Sequence, residues 1–114
     1  MKKIFLAIVL LSVPLFMGAS CYGSNSSNSN PVSTNQVSIS NMAFSPPAIS
    51  VSKGATVTWT NNDSVAHTVT SDNGKFNSSQ LSNGGKFQFT FSESGTFSYH
   101  CSIHPSMTGK VIVN

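Results

Sequence analysis

Tyr99-His100-Cys101-Ser102-Ile103-His104-Pro105-Ser106-Met107 is the stretch on which the rest of the chain depends. It carries a thiol, an imidazole and a thioether at Cys101, His104 and Met107, each three residues beyond the last. A second imidazole, His67, stands far upstream at the head of the strand-like run Thr68-Val69-Thr70. One thiolate, two imidazoles and a thioether form the donor set of a type 1 copper site, with His₂Cys in a near-trigonal plane and a weak axial Met. A strand ending at Cys101 fixes the sulfur against the core, and a tight turn must then bring His104 and Met107 back to the same ion. Pro105 holds one φ within that turn and removes a donor, so the loop has less freedom to lose on metal binding. With His67 arriving from another strand the site is stiff, which suits an ion that changes charge with little movement.

His100 lies outside this set. Successive side chains of a strand point to opposite faces. If Cys101 faces the metal, His100 faces away and is an ordinary polar residue.

The flanking segments are short strands and turns. Thr96 to Cys101 places Phe97, Tyr99 and Cys101 on one face, and Lys86 to Phe91 does the same for Phe87, Phe89 and Phe91. After the loop, Gly109 opens a last strand, Lys110-Val111-Ile112-Val113. Upstream, Thr56-Val57-Thr58-Trp59-Thr60 alternates with period two, Val57 and Trp59 inward. Asn61-Asn62-Asp63-Ser64 is a run of turn formers leading to His67. Val37 and Ile39 alternate with Ser38 and Ser40, and Met42-Ala43-Phe44 reads as a continuation of that strand with Met42 in the core. Ser45-Pro46-Pro47 breaks it, since neither proline donates to a ladder, and Ala48-Ile49-Ser50-Val51 follows. No segment has a helical period. About seven short strands in residues 37–114 predict an all-β, antiparallel β-sandwich.

Charge and cysteine count narrow the class. The six basic residues are all Lys, against three acids. Removing Lys2 and Lys3 with a leader segment leaves four against three, about +1. No basic stripe of the kind a nucleic-acid binder carries is present, and strong electrostatic steering towards an acidic partner is not expected. Cys21 and Cys101 are the two cysteines; one sits at a processing point and the other in a metal constellation, so they are not expected to pair.

Met1 to Ser20 reads as a secretory signal peptide: Lys2 and Lys3, an apolar run from Ile4 to Met17 broken by Ser12 and Pro14, then Gly18, Ala19 and Ser20. Small residues before Cys21 resemble the lipobox of bacterial lipoproteins, although Gly18 stands where that pattern prefers Leu. Cys21 to Gln36 is dominated by Ser and Asn and has too little apolar content to fold. It reads as a flexible tether with an r.m.s. reach of roughly 20 Å for about 15 residues, starting at a lipidated Cys21. The expected organisation is therefore signal peptide 1–20, tether 21–36 and folded domain 37–114.

From Val37 to Asn114 the chain resembles a small cupredoxin of the plastocyanin and amicyanin type. The matching stretches are Met42-Ala43-Phe44-Ser45-Pro46, Val51-Ser52-Lys53-Gly54, Val57-Thr58-Trp59-Thr60-Asn61, His67-Thr68-Val69 and Tyr99 to Met107. The short gap between His104 and Met107, with Pro105 between them, and His100 before the cysteine are similar to amicyanin. The resemblance implies a Greek-key β-sandwich with copper at one end, His67, Cys101 and His104 as equatorial ligands and Met107 as the axial one. It also implies that electrons pass through His104, inside an apolar patch to which Ile103, Pro105, Ala66 and Val65 belong. Two positions depart from the pattern. Ser106 stands where an aromatic residue is common. Thr68 stands where many relatives have an Asn that pins the cysteine loop, and its hydroxyl is a candidate hydrogen-bond partner in that place.

The implied function is one-electron transfer between extracytoplasmic redox partners through small, transient contacts, by a monomer held outside the cytoplasm at a membrane. The alternative is copper binding and delivery without an electron-carrier role. An enzyme is disfavoured, because copper oxidases and reductases need histidines for a further metal centre and only His100 is spare. A metal-free adhesive sandwich, with these donors as ordinary loop residues, is the remaining reading. The Asn-X-Ser sequons at Asn25, Asn62 and Asn77 carry no argument if the source is bacterial, as the lipobox-like site suggests.

Overall fold

Alternating apolar and polar residues become nine short strands in a computed structural model, which describes residues 30–114. The expected signal peptide and Cys21, with its expected lipid, lie outside the described residues. The strands are β1 (Val32–Ser33), β2 (Gln36–Ser40), β3 (Ala43–Ser45), β4 (Ala48–Val51), β5 (Thr56–Asn61), β6 (Thr70–Ser71), β7 (Lys86–Thr90), β8 (Gly95–His100) and β9 (Thr108–Val113). They form a five-stranded sheet in the order β1-β4-β9-β8-β6 and a four-stranded sheet in the order β3-β2-β5-β7. No helix occurs among the described residues.

The all-β sandwich stands, with mixed rather than purely antiparallel pairing. β2 runs parallel to β5, and β4 runs parallel to both β1 and β9. The chain changes sheet at most of its connections, so in-sheet neighbours are seldom joined by a hairpin, and only a tight hairpin forces them antiparallel. The first pairing, Val32 with Ile49, falls inside the stretch whose composition reads as tether.

Met42 corrects the expectation of a core residue on a continuous strand. β2 and β3 are a hairpin whose two turn residues, Asn41 and Met42, have φ of 50° and 58°. Positive φ at both positions is the requirement of a two-residue turn that matches strand twist. Met42 thereby leaves the inner face and is 45% exposed. Thr68-Val69, read as strand, makes no ladder: His67 forms an isolated bridge to Leu81, and pairing resumes only at Thr70.

Between the sheets the core centres on Trp59, whose ring lies 5.5 Å from Tyr99, 5.7 Å from Phe76 and 6.4 Å from Phe91. Tyr99 also meets Phe44 edge-on at 4.8 Å. Its ring lies directly over Gly109 of β9: a Cβ at that glycine would stand 2.5 Å from the phenol. Burial pushes the Tyr99 hydroxyl up to about 12. Two residues further on the same inward face, β8 delivers Cys101, fully buried, at one end of this aromatic core.

Candidate metal centre

Each half of the site is assembled by its own backbone before the two halves meet. In the downstream half, β8 ends at His100 and the chain folds back through Ser102 to Ser106. Met107 N–H donates to the His104 carbonyl at 2.9 Å, and Cys101 N–H donates to the Met107 carbonyl at 3.0 Å. These two bonds close the loop, so Cys101, His104 and Met107 share one compact turn. Met107 is buried and joins the core, His104 is half-buried, and Ile103, Pro105 and Ser106 are exposed.

His67 is held from the other side. Its N–H donates to the Leu81 carbonyl at 3.1 Å, and its own carbonyl accepts from Leu81 N–H at 2.7 Å. Asn61, fully buried at the end of β5, donates through Nδ2 to the carbonyls of Val65 (2.9 Å) and Leu81 (2.7 Å) and accepts Asp63 N–H through Oδ1 (2.9 Å). Asp63 in turn accepts the N–H groups of Asn41 (2.8 Å) and Met42 (3.0 Å) and lies 2.8 Å from His67 Nε2. The carboxyl is held below its usual range, first by Met42 N–H and then by His67 and Asn41. As a carboxylate it accepts a hydrogen bond from Nε2–H, the tautomer that leaves the Nδ1 lone pair of His67 free for a metal.

The halves converge on one point. Cys101 Sγ lies 3.7 Å from His67 Nδ1 and 3.9 Å from His104 Nδ1, and all three donor atoms lie within 4.8 Å of one another. Metal–nitrogen bonds of about 2.0 Å and metal–sulfur bonds of about 2.3 Å, spread near 120°, put sulfur and nitrogen about 3.7 Å apart. The spacing of this structure therefore fits one first-row ion between them. The set is also protonated suitably. Burial raises the Cys101 thiol. Hydrogen bonds from the Thr68 and His104 backbones, together with the two adjacent imidazoles, outweigh that effect and bring it down to about 6. Below that value the thiol holds its proton and competes with a metal; above it the thiolate is ready to bind.

His100 stands apart as alternation requires, its Nδ1 2.6 Å from Asp72 on the outer face. Of the expected patch around His104, Ile103 (40%) and Val65 (46%) are exposed, as is Pro105, and Ala66 is half-buried. Asn61 and Asp63, read only as turn formers, are the functional residues that the sequence concealed. One signal did exist. Val57, Trp59 and Asn61 share a face by period two, so Asn61 had to be a buried polar residue in need of partners.

Residues 32–114 match the family described as copper binding proteins, plastocyanin/azurin family. The amicyanin of Paracoccus denitrificans is 37% identical over 77 residues, which are 63% of this chain and 59% of that protein. This chain thus spans about three-fifths of that relative's length. The plastocyanin of Solanum crispum is 34% identical over 88 residues, 64% of this chain and 89% of that one. The structure of a novel purple cupredoxin from Nitrosopumilus maritimus is 39% identical with a TM-score of 0.64, covering 69% of this chain and 98% of that one. From Val32 to Asn114 the chain therefore belongs to the plastocyanin/azurin family of copper-binding proteins, with one type 1 copper as its cofactor.

Proposed function

We propose that this protein carries single electrons between redox proteins outside the cytoplasm, with copper held by His67, Cys101, His104 and Met107. The observation that carries the reading is the convergence of His67 Nδ1, Cys101 Sγ and His104 Nδ1, supplied by segments 34 residues apart in sequence. Bound copper supplies a reversible one-electron couple. The chain's own residues supply the rest. Asp63 and the Leu81 bridge fix the direction of His67, the Met107 and His104 backbone bonds fix the loop, and burial keeps water from the sulfur. Little has to move when the charge changes.

The half-buried His104 is the route by which an electron leaves, and a partner docks over Ile103, Pro105, Ala66 and Val65, of which Ile103, Pro105 and Val65 are exposed. Such contacts are small and transient. The domain acts as a monomer, with no enzymatic step of its own. Residues 1–20 export it, and the Ser/Asn-rich segment from Cys21 tethers it to a membrane through a lipid on that cysteine. Docking that rests on apolar contact and a net charge of about +1, four Lys against three acids, depends little on ionic strength.

Voltammetry of the copper-loaded domain separates this reading from copper delivery. An electron carrier gives a reversible one-electron wave, with copper retained through repeated cycles. Loss of the ion to a chelator or acceptor protein on reduction would instead assign the chain to delivery.

A further inference from the structure

Part of the stretch whose composition reads as tether is built into the sheet. Val32 and Ser33 are β1, at the edge of the five-stranded sheet beside β4. Thr34 Oγ1 accepts Gln36 N–H at 3.2 Å, and the Asn35 carbonyl accepts Thr58 N–H at 2.9 Å. Eleven residue steps therefore separate Cys21 from Val32, and chain of that length spans no more than about 40 Å. β1 runs parallel to β4 and β4 to β9, and β9 leads away from Met107, so the end of β1 that the tether joins is the one towards the copper. Val32 is in register with Ile49, and Ile49 with Val111. Four residues along β9 and two strand spacings across the sheet put Val32 about 16 Å from Met107.

The loops around the copper site carry no charge to draw a partner in. Neither residues 64–69 nor residues 101–108 include a Lys, Arg, Asp or Glu. Asp63, beside the first loop, has a side chain only 16% exposed and engaged by His67, Asn41 and Met42. A face of this kind meets a partner from solution at the unsteered rate of about 10⁵–10⁶ M⁻¹ s⁻¹, which for a partner at about 1 μM is about one encounter per second or fewer. Holding both proteins on short tethers raises the effective concentration to about 1 mM, roughly a thousandfold more. We infer that the redox partner is held in the same membrane as Cys21, and that the short tether stands in for the steering that the docking face lacks. The inference rests on the electron-transfer and anchoring reading above and names its class of partner. That partner is a membrane-bound redox protein with an uncharged, apolar contact surface, reached by a copper site that stays within about 55 Å of the anchor.

Washed membranes from cells that make the full chain, with its lipid in place, are the probe. The copper charge-transfer band is followed as the membranes oxidise the reduced protein or reduce the oxidised one. Exchange in the membranes is expected, and the soluble fraction of the same cells should exchange with the Cys21→Ser protein at least tenfold more slowly. Inserting twenty Gly and Ser residues after Gly23 lengthens the tether from eleven steps to thirty-one and leaves every folded residue in place. The rate in the membranes should then fall about fivefold, because effective concentration drops as roughly the −3/2 power of length. No exchange in the membranes would overturn the inference, as would a soluble fraction that matches them or a rate unmoved by the insertion. The readings fail separately. Cys21→Ser protein that still sediments with membranes removes the anchor, and the absence of a reversible wave removes the electron carrier. An anchored, electroactive protein served by the soluble fraction removes only the membrane-held partner.

Discussion

Replacing Cys101 with serine is expected to abolish the intense visible absorption of the copper-loaded protein and to weaken copper binding by more than about a hundredfold. That exceeds what the loss of a hydrogen-bond partner around a metal ligand costs, about 10–100-fold. A hydroxyl is a poor substitute for two reasons. Its proton is not lost near neutral pH, whereas hydrogen bonds in the fold bring the Cys101 thiol down to about 6. Nor is it the soft donor that copper selects in such sites. The fold should survive, because serine is smaller than cysteine and can still accept the Thr68 N–H that now reaches sulfur at 3.3 Å. An optical copper titration, with circular dichroism as the control for folding, checks this. Retention of the native band in Cys101→Ser would take the sulfur out of the site.

The second large effect is on stability, and through it on the site. Asn61→Ala removes a fully buried side chain that makes three hydrogen bonds. The Leu81 carbonyl keeps His67 N–H as a donor, but the Val65 carbonyl and Asp63 N–H lose the side-chain partner that holds them. Two orphaned groups at about 1–3 kcal/mol each suggest a loss of about 3 kcal/mol. For a domain of this size that corresponds to a fall in Tm of roughly 15 °C. The same change releases the loop from Asn62 to Ala66 and with it Asp63, which orients His67. Copper affinity should therefore fall along with stability, unlike the effect of an ordinary core truncation remote from the site. Urea unfolding with and without copper measures both. A variant with native Tm and native affinity would show that Asn61 does not hold this loop.

The strands with clean alternation were legible, β5 and β8 above all. The donor stretch was legible because its three donor side chains, Cys101, His104 and Met107, are chemically rare and regularly spaced. The sheet partners were not: alternation tells which face is inward but not which strand lies alongside, and here parallel neighbours such as Ser38 and Thr60 are brought together by chain that passes through the other sheet. Met42 was misread because a left-handed turn has no signature when a residue other than glycine occupies it. The cause lies 21 residues away, in the Asp63 carboxylate that accepts its N–H. The roles of Asp63 and Asn61 were hidden for the same reason, since a turn former and a buried clamp use the same side chains. The Thr68 hydroxyl was legible as a candidate hydrogen-bond partner, but its partner, the Ser102 N–H 34 residues away, was not.

Electron transfer at this site requires donors from two distant segments to be preassembled for a single copper ion. The most direct test is titration of copper(II) into the purified domain, followed by optical and paramagnetic resonance spectra. The prediction is saturation at one equivalent, with an intense sulfur-to-copper band and the narrow copper hyperfine splitting of a type 1 site. Binding that yields only the weak absorption and wide splitting of a nitrogen and oxygen site would contradict it.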